Sequence, residues 1–177
     1  CASHGLFYAP DPSSQKACTI GGNVAENSGG PHCFKYGSTT RHVLGLVFVT
    51  ATGEVVDLRG PVIDPAGLDL IGVFVGSEGL LGIATEVTVA LVPVPPVVET
   101  LLALFTSLDA ACDAVTDVIA ARLEPSALEI LDERTIAAIE ASVLAAGYPK
   151  DARAVLLVEC EGTDLEVTSN LADITSI

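Results

Sequence analysis

The residues with the clearest chemical potential form a glycine-rich stretch near the start of the chain. Residues 17–32 read Ala-Cys-Thr-Ile-Gly-Gly-Asn-Val-Ala-Glu-Asn-Ser-Gly-Gly-Pro-His, with two glycine pairs among small, hydrogen-bonding side chains. Glycine lets the backbone adopt positive φ and approach a ligand closely, and the N–H groups that such turns expose suit a diphosphate. Asn23, a favoured N-cap residue, is expected to begin a short helix whose N-terminus adds further donors. The stretch predicts a site for a phosphorylated cofactor, with a plain surface turn as the alternative.

A second glycine-spaced stretch lies further along the chain. Residues 76–83 read Gly-Ser-Glu-Gly-Leu-Leu-Gly-Ile and lead into an apolar strand. Two such loops in one short chain suggest that they share a ligand. A Rossmann site is disfavoured, because it requires Gly-x-Gly-x-x-Gly between a strand and a helix. The chain also has no Gly-Lys-Ser/Thr segment, so a P-loop is excluded.

In their order and spacing, these two stretches and the intervening Lys35-Tyr36-Gly37 resemble the FAD-linked oxidases of the vanillyl-alcohol oxidase and p-cresol methylhydroxylase (PCMH) type. The resemblance implies an enzyme that binds FAD and oxidises a small 2-hydroxy acid such as glycolate, with hydride transfer to the flavin. It also implies an electron acceptor or other oxidase subunits as partners. The alternatives are a D-lactate or D-2-hydroxyglutarate dehydrogenase, a more distant flavin oxidase, and a non-catalytic interaction module.

The resemblance also implies which residues contact the cofactor. Those expected at the adenosine and diphosphate are Pro12, Ser13, Thr19, Ile20, Gly21, Gly22 and Asn23. Those expected to follow the cofactor toward its ring, with Lys35 nearby, are Glu26, Asn27, Ser28, Gly29 and Tyr36. Those expected to form a second wall are Glu78, Gly79, Gly82 and Ile83.

The catalytic residue is not identified by the sequence. His4, His32 and His42 do not form an i, i+4 pair, and no Gly-x-Ser-x-Gly elbow marks a nucleophile. Relatives that oxidise 2-hydroxy acids carry a His-Gly-Asp-Gly segment in the cap domain, and this chain has none. We therefore expect no metal site here and no activity from these 177 residues alone.

Composition narrows the class of protein. Half of the residues are hydrophobic and the net charge is −15, which disfavours binding to nucleic acid or to an anionic membrane. No apolar run reaches the roughly 18 residues of a membrane span. The five scattered cysteines indicate reduced thiols in a cytoplasmic protein. The complete absence of Met predicts a piece of a longer or processed protein.

Glycine content divides the chain into two parts. All of the 16 glycines except Gly147 and Gly162 precede the proline-rich segment at 93–96. We predict an α+β architecture, in which residues 1–96 form the second half of a PCMH-type FAD-binding domain. By the resemblance, residues 97–177 form the start of a ferredoxin-like cap domain.

Hydrophobic periodicity predicts the elements that hold the glycine loops. The first part is expected to contain a hairpin over 43–58, a short helix within 68–75 and a strand over 83–92. The second part is expected to alternate strands at 99–105, 127–131 and 154–158 with two helices. Ser107 and Asp132 are the expected N-caps of those helices. Leu108, Cys112, Val115 and Ile119 are expected on one face of the first, and the second is expected to reach Gly147.

Overall fold

A computed structural model describes residues 1–60, 67–143, 145–149 and 151–177. These residues divide into two compact units, which we call unit 1 (Cys1–Val94) and unit 2 (Pro95–Ile177). The division falls at the proline-rich segment that the sequence marks as a connection.

Unit 1 contains both glycine loops. Its helices and strands, in chain order, are β1 (Leu6–Phe7), α1 (Ile20–Glu26), α2 (Cys33–Tyr36), β2 (Val43–Val49), β3 (Val55–Asp57), α3 (Leu70–Phe74), β4 (Ile83–Val89) and β5 (Val92–Pro93). The strands β3, β2 and β4 form an antiparallel sheet in that order. The predicted hairpin is therefore present as β2 and β3, and the predicted short helix as α3.

The core of unit 1 forms where α1 and α3 pack on this sheet. Its buried side chains are those of Val24, Val43, Leu46, Phe74 and Val75. β-Branched residues dominate the strands because their stiff side chains pack well on a pleated surface. This packing holds α1 against β4. Helix α1 lies within the first glycine loop, and β4 begins at the end of the second.

The prediction of one strand over 83–92 is wrong. The partner strand β2 starts at Val43, which pairs with Val89, so the ladder ends there. Ala90 still donates its N–H to the carbonyl of His42 at 2.8 Å, and the chain then turns to β1, where Val92 pairs with Phe7. The apolar alternation of the sequence continues past the end of the ladder, so it does not mark where β4 ends.

Unit 2 alternates strands and helices as the sequence predicts. Its elements are β6 (Val97–Phe105), α4 (Leu108–Ala120), β7 (Ala127–Asp132), α5 (Glu133–Glu140), β8 (Ala154–Gly162) and α6 (Asp164–Thr175). The strands lie antiparallel in the order β6-β8-β7, which is the order of the first three strands of a ferredoxin-like sheet. Ser107 and Asp132 cap α4 and α5, as predicted.

The helices α4 and α5 depart from the sequence prediction in detail. The face of α4 that packs on the sheet carries Ala111 and Val118, and Leu108 and Cys112 are exposed. Helix α5 ends at Glu140 and does not reach Gly147. The Glu140 carboxylate accepts N–H groups from residues 146, 147 and 148, which draws the following segment back against the helix end.

The last helix, α6, was not predicted from the sequence. Thr163 is its N-cap, and Glu166 accepts the Thr163 N–H in return, which forms a capping box. Val167 and Ile174 bury one face of α6 against Val158 in the core of unit 2. Among the described residues, none of the helices combines the length and the apolar character needed to cross a bilayer.

Candidate functional site

The first glycine loop enters helix α1 through Thr19. The backbone of Thr19 is extended, and its Oγ1 accepts the N–H of Gly22 at 3.0 Å. The prediction that Asn23 caps this helix is therefore wrong: threonine is also a good N-cap, and it stands one turn earlier. Asn23 lies inside the helix with 3% of its surface exposed. Its Oδ1 is buried without a hydrogen-bond partner among the described residues.

The two glycine loops are joined to each other through their main chains. Gly76 donates its N–H to the carbonyl of Val24 at 2.8 Å, and Glu78 donates to the carbonyl of Ala25 at 2.9 Å. Both acceptors lie at the end of α1, where helix carbonyls lack partners within the helix. The expectation that the loops lie together is thus met in unit 1.

A surface groove with a volume of about 160 Å³ lies between the loops. It is lined by Gly21, Val24, Ala25, Phe74, Gly79, Gly82, Ile83 and Ala84. None of these lining residues carries a charge, so the groove offers backbone groups and apolar surface. Four of the predicted site residues, from both predicted walls, therefore meet at one place.

The glycines of this groove have two different roles. A β-carbon added to Gly21 or Gly79 would meet nothing within 4 Å, so internal packing does not require glycine there. Gly79 and Gly82 both have a positive φ, 80° and 151°, which favours glycine. At Gly82 an added β-carbon would also lie 2.5 Å from the carbonyl oxygen of Val49, so this glycine serves the contact of the loop with β2. Gly21 has neither constraint.

Asn27 and Ser28 accept hydrogen bonds from the segment that follows α2. Asn27 adopts a left-handed conformation with φ 50°, and its Oδ1 accepts the N–H of Thr40 at 2.9 Å. The carbonyl of Ser28 accepts both the N–H of Thr39 at 3.0 Å and its Oγ1 hydroxyl at 2.7 Å. Thr39 is fully buried. The sequence gives no signal for Thr39, which stands in a run of small polar residues.

Other predicted site residues lie outside the groove lining. Pro12 is buried and begins a tight turn, in which its carbonyl accepts the N–H of Gln15 at 2.8 Å, and Ser13 is exposed on that turn. Tyr36 packs edge-on against Phe7, with 5.8 Å between ring centroids. Glu26 is exposed at the end of α1.

An aspartate and a histidine pair beside the first loop. The Nδ1 of His32 lies 2.6 Å from Oδ2 of Asp11, and both side chains are largely buried. Gly30 packs directly on the backbone carbonyl of Asp11, where a side chain would collide. These contacts tie the turn at Pro12 to the end of the loop. Nowhere in the described ranges do three His, Cys, Asp or Glu side chains group as a metal site would require.

Comparisons with known proteins match both units. The family described as "FAD binding domain" matches residues 1–59, and that described as "FAD linked oxidases, C-terminal domain" matches residues 94–177. The glycolate oxidase subunit GlcD of Escherichia coli (strain K12) is 49% identical over 176 residues, which are 99% of this chain and 35% of that protein. A D-lactate dehydrogenase of Anaerostipes hadrus is 36% identical over 162 residues, 91% of this chain and 32% of that protein. The chain thus spans about a third of the length of these relatives.

A solved structure of alkyldihydroxyacetonephosphate synthase shares the fold. It superposes with a TM-score of 0.82 at 23% sequence identity, over 99% of this chain and 35% of that structure. The α+β fold of the PCMH type, the FAD-linked family and the FAD cofactor are thereby confirmed. Gly21 and Gly79 both line the groove, and a β-carbon at either position would meet no protein atom within 4 Å, which leaves room for a ligand there. The chain belongs to the FAD-linked oxidases.

Proposed function

We propose that this chain forms one wall of the FAD site in an oxidoreductase that oxidises a 2-hydroxy acid, with glycolate as the first candidate substrate. The observation that carries the proposal is the uncharged groove in which two glycine loops meet. The 49% identity to a glycolate oxidase subunit supports glycolate. Residues 1–96 would then contribute the FAD wall, and residues 97–177 the start of the cap domain.

The chain's own contribution is binding and orientation. Gly21 and Gly79 offer their open faces to the dinucleotide, and the exposed side chain of Ile83 provides apolar surface above the buried Val24 and Phe74. Pro12, Ser13 and the segment 26–29 remain predicted contacts at the two ends of the cofactor. When bound, the flavin supplies the hydride acceptor, and the protein supplies position and electrostatics. We assign no proton-transfer step to this chain.

D-Lactate is the alternative substrate. A D-lactate dehydrogenase that is 36% identical to 91% of this chain supports it, at lower identity than the glycolate oxidase subunit. A cytoplasmic location and further oxidase subunits remain part of the proposal. The five cysteines, none of which forms a disulfide among the described residues, support a reducing compartment.

The test uses purified full-length protein. We expect a yellow protein whose flavin absorption bands bleach when glycolate is added without oxygen, and bleach more slowly with D-lactate or D-2-hydroxyglutarate. A colourless protein that takes up no FAD would contradict the proposal. Bleaching by D-lactate alone would move the substrate assignment to the alternative and leave the FAD wall intact.

A further inference from the structure

Thr39 is a buried polar residue outside every predicted cofactor contact. Its side chain is fully buried, and its hydroxyl donates to the carbonyl of Ser28 at 2.7 Å. The N–H of Thr39 donates to the same carbonyl at 3.0 Å. The next residue, Thr40, donates its N–H to Oδ1 of Asn27 at 2.9 Å. Three hydrogen bonds from two adjacent residues therefore hold the main-chain carbonyl of Ser28 and the side-chain amide of Asn27.

The opposite side of the same segment is fixed by the second glycine loop. The bonds from Gly76 and Glu78 hold the carbonyls of residues 24 and 25, just before Asn27. A β-carbon on Gly76 would lie only 3.2 Å from Cβ of Asn27, so the two loops are in close contact there. The end of α1 therefore has two supports: it contacts Gly76 of the second loop, and it accepts hydrogen bonds from the segment 39–40.

We propose that Thr39 is a positioning residue for the flavin end of the cofactor site. This inference rests on the proposed function, in which the segment 26–29 follows the cofactor toward its ring. Thr39 sets the direction of the Ser28 carbonyl and, with Thr40, the left-handed turn at Asn27. Its removal therefore shifts a cofactor-facing loop without touching the cofactor.

The fully buried site of Thr39 permits a clean comparison of variants. Thr39→Val keeps the shape and loses the hydroxyl, whereas Thr39→Ser keeps the hydroxyl and loses a methyl group. Thr85→Val is the control for the loss of a hydroxyl hydrogen bond at an exposed position, because Thr85 also donates its hydroxyl to a main-chain carbonyl, that of Val47, within the sheet of unit 1. All are made in the full-length protein.

The readouts are the dissociation constant for FAD and the visible circular dichroism of the bound flavin, which reports the surroundings of the ring. We expect Thr39→Val to weaken FAD binding by about fivefold, the value of one neutral hydrogen bond, and to alter the visible spectrum. Thr39→Ser and Thr85→Val should stay within about twofold of the parent protein.

Two results would overturn the inference. One is a Thr39→Val protein with unchanged affinity and spectrum; the other is an equal loss in Thr85→Val, which would indicate general destabilisation. If Thr39→Val does not fold, Thr39→Cys decides, because its thiol is of similar size and is only a weak donor to the Ser28 carbonyl. An unchanged FAD affinity and flavin spectrum in Thr39→Cys then overturns the inference, and a change in both supports it. A parent protein without FAD would instead refute the proposed function.

Discussion

At the scale of single residues, the glycines show how one residue type serves both fold and site. Gly82 has a backbone conformation and a contact with β2 that exclude a side chain. Gly21 has neither constraint, and it lies in the first turn of α1 with its α-carbon facing the groove. The fold therefore does not require glycine at this position, and under the proposed function the cofactor does.

Replacement of Gly21 by alanine should move stability and cofactor affinity in opposite directions. Alanine is favoured over glycine in a helix by roughly 0.5–1 kcal/mol, so the free energy of unfolding should rise. The added methyl group occupies the groove, and we expect FAD affinity to fall at least about tenfold, in line with the cost of overpacking. Thermal unfolding and FAD titration of the same variant measure both. A variant with normal FAD affinity would show that the loop is a plain turn.

Residue types located the two glycine loops better than they predicted the role of each side chain. The glycine spacing marked both loops, and the structure joins them through main-chain hydrogen bonds. The role of Asn27 was not visible, because the partner that its amide binds, the N–H of Thr40, depends on the fold of the intervening helix. The cap at Thr19 was missed because threonine and asparagine are both good caps, and sequence preference alone does not rank them in context.

At the scale of elements, an ion cluster joins the edges of the unit 1 sheet. Arg59, just after β3, binds Asp57 at 2.7 Å and Glu86 of β4 at 2.6 Å. The hydrogen bond from the Arg59 side chain lowers the pKa of Asp57 to about 2. The three side chains are about half exposed or more, so the cluster orders the edges and adds little to stability.

Replacement of Arg59 by glutamine should return the pKa of Asp57 toward its ordinary range. Because the folded-state pKa is lowered, the stabilising effect is present above the ordinary pKa and is lost as the pH falls through about 2. The side-chain carbonyl carbon of Asp57, followed by NMR during acid titration, measures the change. An unshifted midpoint would mean that Arg59 does not hold this carboxylate in solution.

The capping box of α6 provides a second test at this scale. Thr163→Ala removes the side chain that caps the helix, and we expect a loss of about 1 kcal/mol in the free energy of unfolding. Thr175→Ala is the control, because it removes a hydroxyl that donates to Leu171 at the other end of the same helix. That control should cost less than about 0.5 kcal/mol. Equal losses in denaturant unfolding would contradict a special role for the cap.

The sequence predicted strands and caps correctly where neighbouring residues determine them. It failed where residues distant in the sequence determine the end of an element. Ser107 and Asp132 precede apolar periodic segments, so their helices were placed correctly. The end of α5 depends on Glu140 binding amides several residues ahead, and the end of β4 depends on where β2 begins. The buried face of α4 was misassigned because two apolar stripes lie side by side on that helix. Pattern counting does not decide which stripe meets the sheet.

At the scale of the whole molecule, the chain offers a groove smaller than a dinucleotide requires. Ligand pockets typically enclose about 300–1,000 Å³, whereas the groove measures about 160 Å³. The chain alone should therefore bind FAD more weakly than about 10 μM, and it should not transfer hydride from glycolate to added flavin. Calorimetric titration with FAD and anaerobic bleaching of the flavin band measure these two properties. Nanomolar binding would show that the wall suffices by itself.

The main-chain bonds between the glycine loops bear on how such a site changes during evolution. The N–H of Glu78 and the carbonyl of Ala25 meet whatever side chains these positions carry. Mutations at these two positions keep the main-chain hydrogen bonds between the loops. Side chains around the groove can therefore change one at a time during evolution while the backbone of the groove is kept. A deep mutational scan scored by folding should accordingly tolerate many substitutions at Ala25, favour residues that accept a left-handed backbone at Glu78 (φ 51°), and reject side chains at Gly82.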